Sequence, residues 1–232
     1  ALLARILHQL AGAMDGVLKA WSSVPFVIEE SRHYLVTGDD MRQHDLLKTA
    51  AAWGKQVLLA IRIHDPEGDS LAYALNHLAS IRIDSGEYHE AIVLLEEAQS
   101  VHTENDILQT TLLSNLGACH FGLNELSKAQ RFYAEALNLI RTRIAEGNER
   151  EKIYLPPFIN NAANNYRLQR TFEEAVSLYE EGISVERSYL PAGSPELATM
   201  LNSLGDVFRE QGRLEQADLL LQEAWELEQR LL

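Results

Sequence analysis

Four times in this chain a small residue stands 12 positions before an alanine: Ala79 before Ala91, Gly117 before Ala129, Ala163 before Ala175 and Gly205 before Ala217. Four residues after each alanine comes Leu95, Tyr133, Tyr179 or Leu221, and three further on Ala98, Ala136, Gly182 or Ala224. Two more apolar positions precede each small residue: Leu75 and Leu78, Leu113 and Leu116, Ile159 and Ala162, Leu201 and Leu204. An internal period outranks other sequence signals, because a unit that cannot bury its apolar face alone must stack on copies of itself.

Each unit reads as two helices. Apolar residues at i, i+3 and i+7 (Leu201, Leu204 and Phe208 in the fourth unit) mark the first helix, and its small residue lets a partner helix approach. The second helix carries Ala, Leu or Tyr, and Ala at i, i+4 and i+7, one stripe toward the first. Between them lies a polar turn. Gly86 and Gly212 supply the left-handed residue that ends a helix, Asn124 can do the same, and Arg170 departs from the pattern. Helix starts are expected at Asp65-Pro66, Asn105-Asp106, Leu155-Pro156-Pro157 and Ser194-Pro195-Glu196, where capping side chains and first-turn prolines cluster.

The pattern L-x2-[LA]-[GA]-x11-A-x3-[LY]-x2-[AG], running Leu75–Ala98, Leu113–Ala136, Ile159–Gly182 and Leu201–Ala224, resembles the tetratricopeptide repeat over residues 68–232. The usual period is 34 residues. Here the alanine-to-alanine steps are 38, 46 and 42, so the extra length belongs to the second helix and the loop after it. Units of this length are similar to those of kinesin light chains and to the arrays of nucleotide-binding, NLR-like signalling NTPases. The resemblance implies an all-α, right-handed superhelical solenoid of antiparallel helix pairs. The units are residues 68–104, 105–150, 151–193 and 194–232. Ala50, Gly54 and Val57 phase a degenerate repeat over 24–67, and residues 1–23 read as an N-terminal packing helix. Residues 141–152, highly charged, form either a longer helix or a loop over the groove.

In this family the first helices line the concave face. The matching positions here are Asn76, Ser80, Ile83 and Asp84; Ser114, Ala118, Phe121 and Gly122; Asn160, Asn164, Arg167 and Leu168; and Asn202, Asp206, Arg209 and Glu210. Asn or Ser recurs at one position, as Asn76, Ser114, Asn160 and Asn202. A carboxamide both donates and accepts, which suits the main chain of an extended peptide, and asparagine is a mediocre helix former. The candidate peptide-binding residues are Asn76, Ser80, Ser114, Phe121, Asn160, Asn164, Arg167, Asn202, Asp206 and Arg209. Arg167 and Arg209 occupy matching positions and could clamp an anion. Asp206 and Glu210 lie one turn or less from Arg209, and pairing within that helix would explain them without a ligand.

Charge bounds the partners. Residues 1–60 hold 6 basic and 6 acidic residues, whereas residues 61–232 hold 14 and 28. So acidic an array lacks the basic surface that phosphate contacts need, and nucleic acid is not expected as a partner. The acids fall mainly on second helices and read as a solvated outer surface. With Cys119 as the lone cysteine, no intrachain disulfide forms and a reducing, cytoplasmic location is expected. No run is apolar enough for a membrane span. The first residue is not Met, which fits a fragment of a longer protein.

Catalysis finds little support. None of the 8 histidines stands in an H-E-x-x-H spacing, and no Gly-rich phosphate loop is present, so neither cofactor nor metal is expected. His120 sits at a packing position, while His77 adjoins Asn76. The sequence therefore predicts a non-catalytic module that binds a protein or peptide in its groove. Two alternatives stay open: a sensing or autoinhibitory arm of a larger signalling ATPase, and a scaffold that self-associates.

Overall fold

The computed structural model describes residues 69–101, 106–190 and 193–231, together with 47–49, 51–52, 54–56, 58–59 and 61–62. The expected packing helix at 1–23 and the first half of the degenerate repeat lie outside the described residues. Two compact units divide between Asn105 and Asp106.

In the first unit, α1 (Asp69–Asp84) and α2 (Tyr88–Ser100) form one antiparallel pair. The described residues of 47–62 are helical, with Leu47, Ala51 and Leu58 buried. A Cβ on Gly54 would stand 3.2 Å from Leu78 Cδ1, so this stretch packs tightly on α1.

The second unit holds three pairs: α3 (Asp106–Gly122) with α4 (Leu126–Ala145), α5 (Leu155–Leu168) with α6 (Phe172–Tyr189), and α7 (Pro195–Glu210) with α8 (Leu214–Leu231). Every described element in both units is helical, and the architecture is an all-α solenoid of stacked helix pairs.

The repeated stripe is the core. Ala129, Tyr133, Leu137 and Ile140 of α4 pack with Leu155, Phe158, Ile159 and Ala162 of α5. Ala175, Tyr179 and Ile183 of α6 pack with Leu197, Met200, Leu201 and Leu204 of α7, and Ala217, Ala224 and Leu227 of α8 close that cluster. The small residues set how near two helices of a pair can come. A Cβ on Gly117 would stand 2.5 Å from Tyr133 Cε1, and one on Gly205 would stand 2.9 Å from Leu221 Cγ.

All four turns within pairs place one residue in the left-handed region, seven positions after the small residue: Gly86 at φ 74°, Asn124 at 59°, Arg170 at 62° and Gly212 at 76°. Arg170, the departure from the pattern, adopts the same backbone as its glycine counterparts. Its guanidinium lies 5.8 Å from the Phe172 ring centroid. The Ser194 cap forms as the sequence predicts, with its Oγ accepting from Leu197 N at 2.9 Å and prolines opening both α5 and α7.

Second helices absorb the variation in repeat length. They run 13 residues in α2, 20 in α4 and 18 in α6 and α8. The charged segment 141–152 continues α4 to Ala145 and then forms a 3-10 turn, Glu149–Tyr154. Arg143 pairs with Glu151 at 2.5 Å, which ties the turn back to α4.

Two substitutions test this reading. Gly117→Val forces the Tyr133 ring out of its seat and lowers unfolding free energy by about 1–3 kcal/mol. Arg170→Gly removes a left-handed side chain and raises stability by about 1 kcal/mol. Urea unfolding followed by circular dichroism reads both.

Candidate functional site

First helices lie side by side within the second unit, and polar bonds join them. Asn161 Nδ2 donates to Ser114 Oγ at 3.1 Å, linking α5 to α3. Arg167 pairs with Glu210 at 2.6 Å, linking α5 to α7.

The recurrent Asn/Ser position does not give four equal side chains. Asn76 is buried at 8% exposure, and its carbonyl accepts from Ser80 Oγ at 3.1 Å within the same helix. Ser114 is buried and already accepts from Asn161. Asn202 Nδ2 donates to Glu228 Oε1 at 3.2 Å, across to α8. Asn160 differs from all three, because its Oδ1 is buried with no hydrogen-bond partner. It lines a hollow of about 200 Å³ between the first turns of α5 and α7, with Pro156, Pro157, Asn161, Pro195 and Thr199 as neighbours. Asn164 stands one turn along α5, partly exposed.

Phe121 packs against the α4–α5 cluster and so serves the core. The two arginines do not converge on a common point: Arg209 takes Asp206 at 2.7 Å within α7, and Arg167 reaches across to Glu210. Each guanidinium thus holds a carboxylate of this chain, Arg209 within its own helix and Arg167 from the next first helix. Arg167 also lies beside Tyr179. Burial pushes that phenol up to about 12, while Ser203 and Arg167 pull it back.

His120 stacks on Phe132, with ring centroids 5.3 Å apart, and its Nδ1 lies 2.6 Å from Glu125 Oε2. Together with Lys128 it holds the Glu125 carboxyl below the usual carboxylate range, Lys128 contributing most. Cys119 is fully buried, and burial pushes its thiol up to about 12. A thiol so rarely ionised is a poor nucleophile. Among the described residues no group of three or more His, Cys, Asp or Glu could hold a metal ion. No helix among them is long and apolar enough to cross a membrane.

The second helices carry an arrangement that the sequence reading missed. Glu97, Glu181 and Glu223, each six positions after its repeat alanine, pair with Arg62, Arg141 and Arg187, each twelve positions after the preceding one. Arg141–Glu181 and Arg187–Glu223 both close at 2.5 Å. The acids there are thus partly tied between successive units. Phasing the charges on the alanines would have revealed it. Each pair is exposed and worth at most about 1 kcal/mol. Beneath the Arg141 pair lies a hollow of about 650 Å³ lined by Gln130, Tyr133, Leu137, Tyr166, Glu173 and Glu174 among others.

A tetratricopeptide repeat family model matches residues 69–142 and 158–228. Among solved structures, BtubC (BKLC) from P. vanneervenii superposes with a TM-score of 0.65 at 17% identity, over 93% of this chain and 92% of that one. A putative kinesin light chain from Podosopora anserina, with nearly identical TPR-like repeats, gives 0.60 at 16% identity, over 89% and 95%. MamA gives 0.54 at 21% identity, over 83% and 95%. Identities this low carry the fold alone. No curated protein matches the chain.

His77, next to Asn76 on α1, supplies a test of how closed that position is. Burial lowers its pKa below 6.5. The unfolded chain therefore binds the proton better, and stability is lost as pH falls from 6.5 toward the lowered native value. His77→Gln removes that part of the acid sensitivity. Melting temperatures of both proteins measured from pH 7.5 to 5 check it: the two curves diverge below about 6.5.

Proposed function

This chain belongs to the tetratricopeptide repeat family, and on that footing we propose that it is a non-catalytic, cytoplasmic protein-binding module that takes an extended partner segment along its first helices. The observation that carries the reading is the unpaired Oδ1 of Asn160. A buried acceptor without a partner costs about 1–3 kcal/mol, so such groups are rarely left unmade without reason. The terminal torsion of asparagine is broad, and a modest rotation turns the amide toward the hollow between α5 and α7. That hollow has apolar walls in Pro156, Pro157 and Pro195, none of which has a backbone N–H to offer. A main-chain N–H of an extended peptide supplies what is lacking. Asn164, Asn202, Asp206 and Arg209 continue the same face toward the ends of α5 and α7, where both signs of charge are available to side chains of the partner.

Capture from an array of extended peptides by the purified chain tests the reading. Asn160→Ala with Asn202→Ala lowers capture by about thirtyfold, the loss expected for two hydrogen bonds of about 1 kcal/mol each, while helicity stays unchanged. Equal capture by the double variant overturns the assignment.

A further inference from the structure

The hollow between α4 and α6 is polar at places where its counterpart one repeat later is apolar. We propose that it binds a small organic cation: a ring-bearing apolar body against the walls, a neutral N–H donating to Asn165, and an ammonium group at Glu173 and Glu174. The site lies along second helices and goes beyond the peptide reading of the first-helix face.

The position two residues after each small residue belongs to the core. It holds Ile81, Cys119 and Val207 in three repeats and Asn165 in the other, all four at 0% exposure. Asn165 Nδ2 donates to the Leu126 carbonyl at 3.2 Å. That bond fixes which end of the amide is the acceptor, and Oδ1 is left buried without a partner. An unmet buried acceptor is costly, and an apolar group of similar shape in its place removes the cost. Asn165 lines the hollow of about 650 Å³, a volume within the range of small-molecule sites.

Phasing on the repeat alanines matches this hollow to a second one, of about 520 Å³, between α6 and α8. Leu137, Tyr166 and Leu178 of the first correspond to Ile183, Phe208 and Leu220 of the second, so the apolar walls repeat. The polar groups do not. Gln216 stands in place of Glu174 and Leu219 in place of Ser177, with Val207 at the position of Asn165. Stacking one pair on the next therefore requires neither the amide nor the acid at those places.

Charge and depth select the ligand. Arg141 is taken by Glu181 at 2.5 Å, which leaves Glu173 and Glu174 uncompensated within the lining. Both are exposed, so a cation beside them keeps much of its hydration. Asn165 is fully buried, and a charge brought to it would give up its water for one neutral oxygen. A neutral N–H makes the same bond without that loss. A ligand with a neutral donor at one end and a cation at the other meets both demands.

Calorimetry with tryptamine tests the assignment, because its indole N–H and its ammonium sit at opposite ends of one ring system. Two variants copy the next repeat. Asn165→Val weakens binding about fivefold, as loss of a neutral hydrogen bond requires. Glu174→Gln weakens it about threefold at low salt and less at high salt. The benzothiophene analogue of tryptamine, with sulfur in place of the ring N–H, binds the unaltered chain about fivefold more weakly than tryptamine. It binds Asn165→Val and the unaltered chain within about twofold of each other, which localises the bond. The comparison of the two amines on the unaltered chain stands whether or not a variant folds. Absence of tryptamine binding, equal binding of the two amines, or undiminished binding by either variant in folded form overturns the proposal. So does acetyl-Gly-Arg-Gly-amide binding as tightly as tryptamine with the same loss on Asn165→Val, which would give the hollow to an arginine of a partner chain.

Discussion

Everything in this fold depends on how closely two helices of a pair can approach at one point. Gly117 leaves no room for even a methyl group beneath the Tyr133 ring, and Gly205 is nearly as tight against Leu221, at 2.9 Å against 2.5 Å. Once that point is fixed, the rest of the stripe meets in register, because positions four and seven residues along lie on the same face. The constant spacing of 12 residues between small residue and alanine follows from it. Two helices held at a fixed crossing, joined by a turn with one left-handed residue, admit only one chain length between contact points. Length varies chiefly beyond the contact, at the far ends of the second helices and in the connections after them, where α4 outruns α2 by seven residues and a 3-10 turn follows it.

The left-handed residue in the turn shows geometry overruling preference. Glycine adopts that backbone without penalty, asparagine with little, and arginine only against a cost of about 1–2 kcal/mol. Arg170 adopts it nonetheless, because the helices on either side are already positioned by Ala163 against Tyr179 and by the cluster beneath them. The backbone at that point is dictated by tertiary contact, and the side chain tolerates it.

Architecture was therefore legible in the sequence where one contact repeats. The helix pairs, the left-handed Asn124, the Ser194 cap, the core role of Cys119 and the packing role of His120 are all local consequences of residue type and phase. What was illegible depends on the unit next door. Asn76, Ser114, Asn160 and Asn202 share a repeat position, yet Ser114 meets Asn161 of the next first helix, Asn202 meets Glu228 of its own partner helix, and the Oδ1 of Asn160 meets no donor. Phase gives the direction in which a side chain points, not the residue waiting there. The Arg–Glu pairs of the second helices escaped notice for a related reason. Each spans two repeats, so neither residue's own repeat shows its partner, and the pairing emerges only when acids and arginines are phased together on the alanines.

That dependence on neighbours explains how a repetitive scaffold acquires a particular binding surface. A polar side chain at an inward-facing position can be absorbed by its neighbours, as Asn161 absorbs Ser114, or left with unmet capacity, as at Asn160. The difference lies in one or two residues of the adjoining helix, which can change without touching the stripe that folds the array. Arg167 makes the same point with charge: its carboxylate comes from Glu210 of the next unit, whereas Arg209 must find one within its own helix. Because the contacts that hold a pair together and the contacts that distinguish one unit from the next use different positions, affinity for a partner can be altered one helix at a time, while the close approach at each glycine or alanine keeps the stack intact.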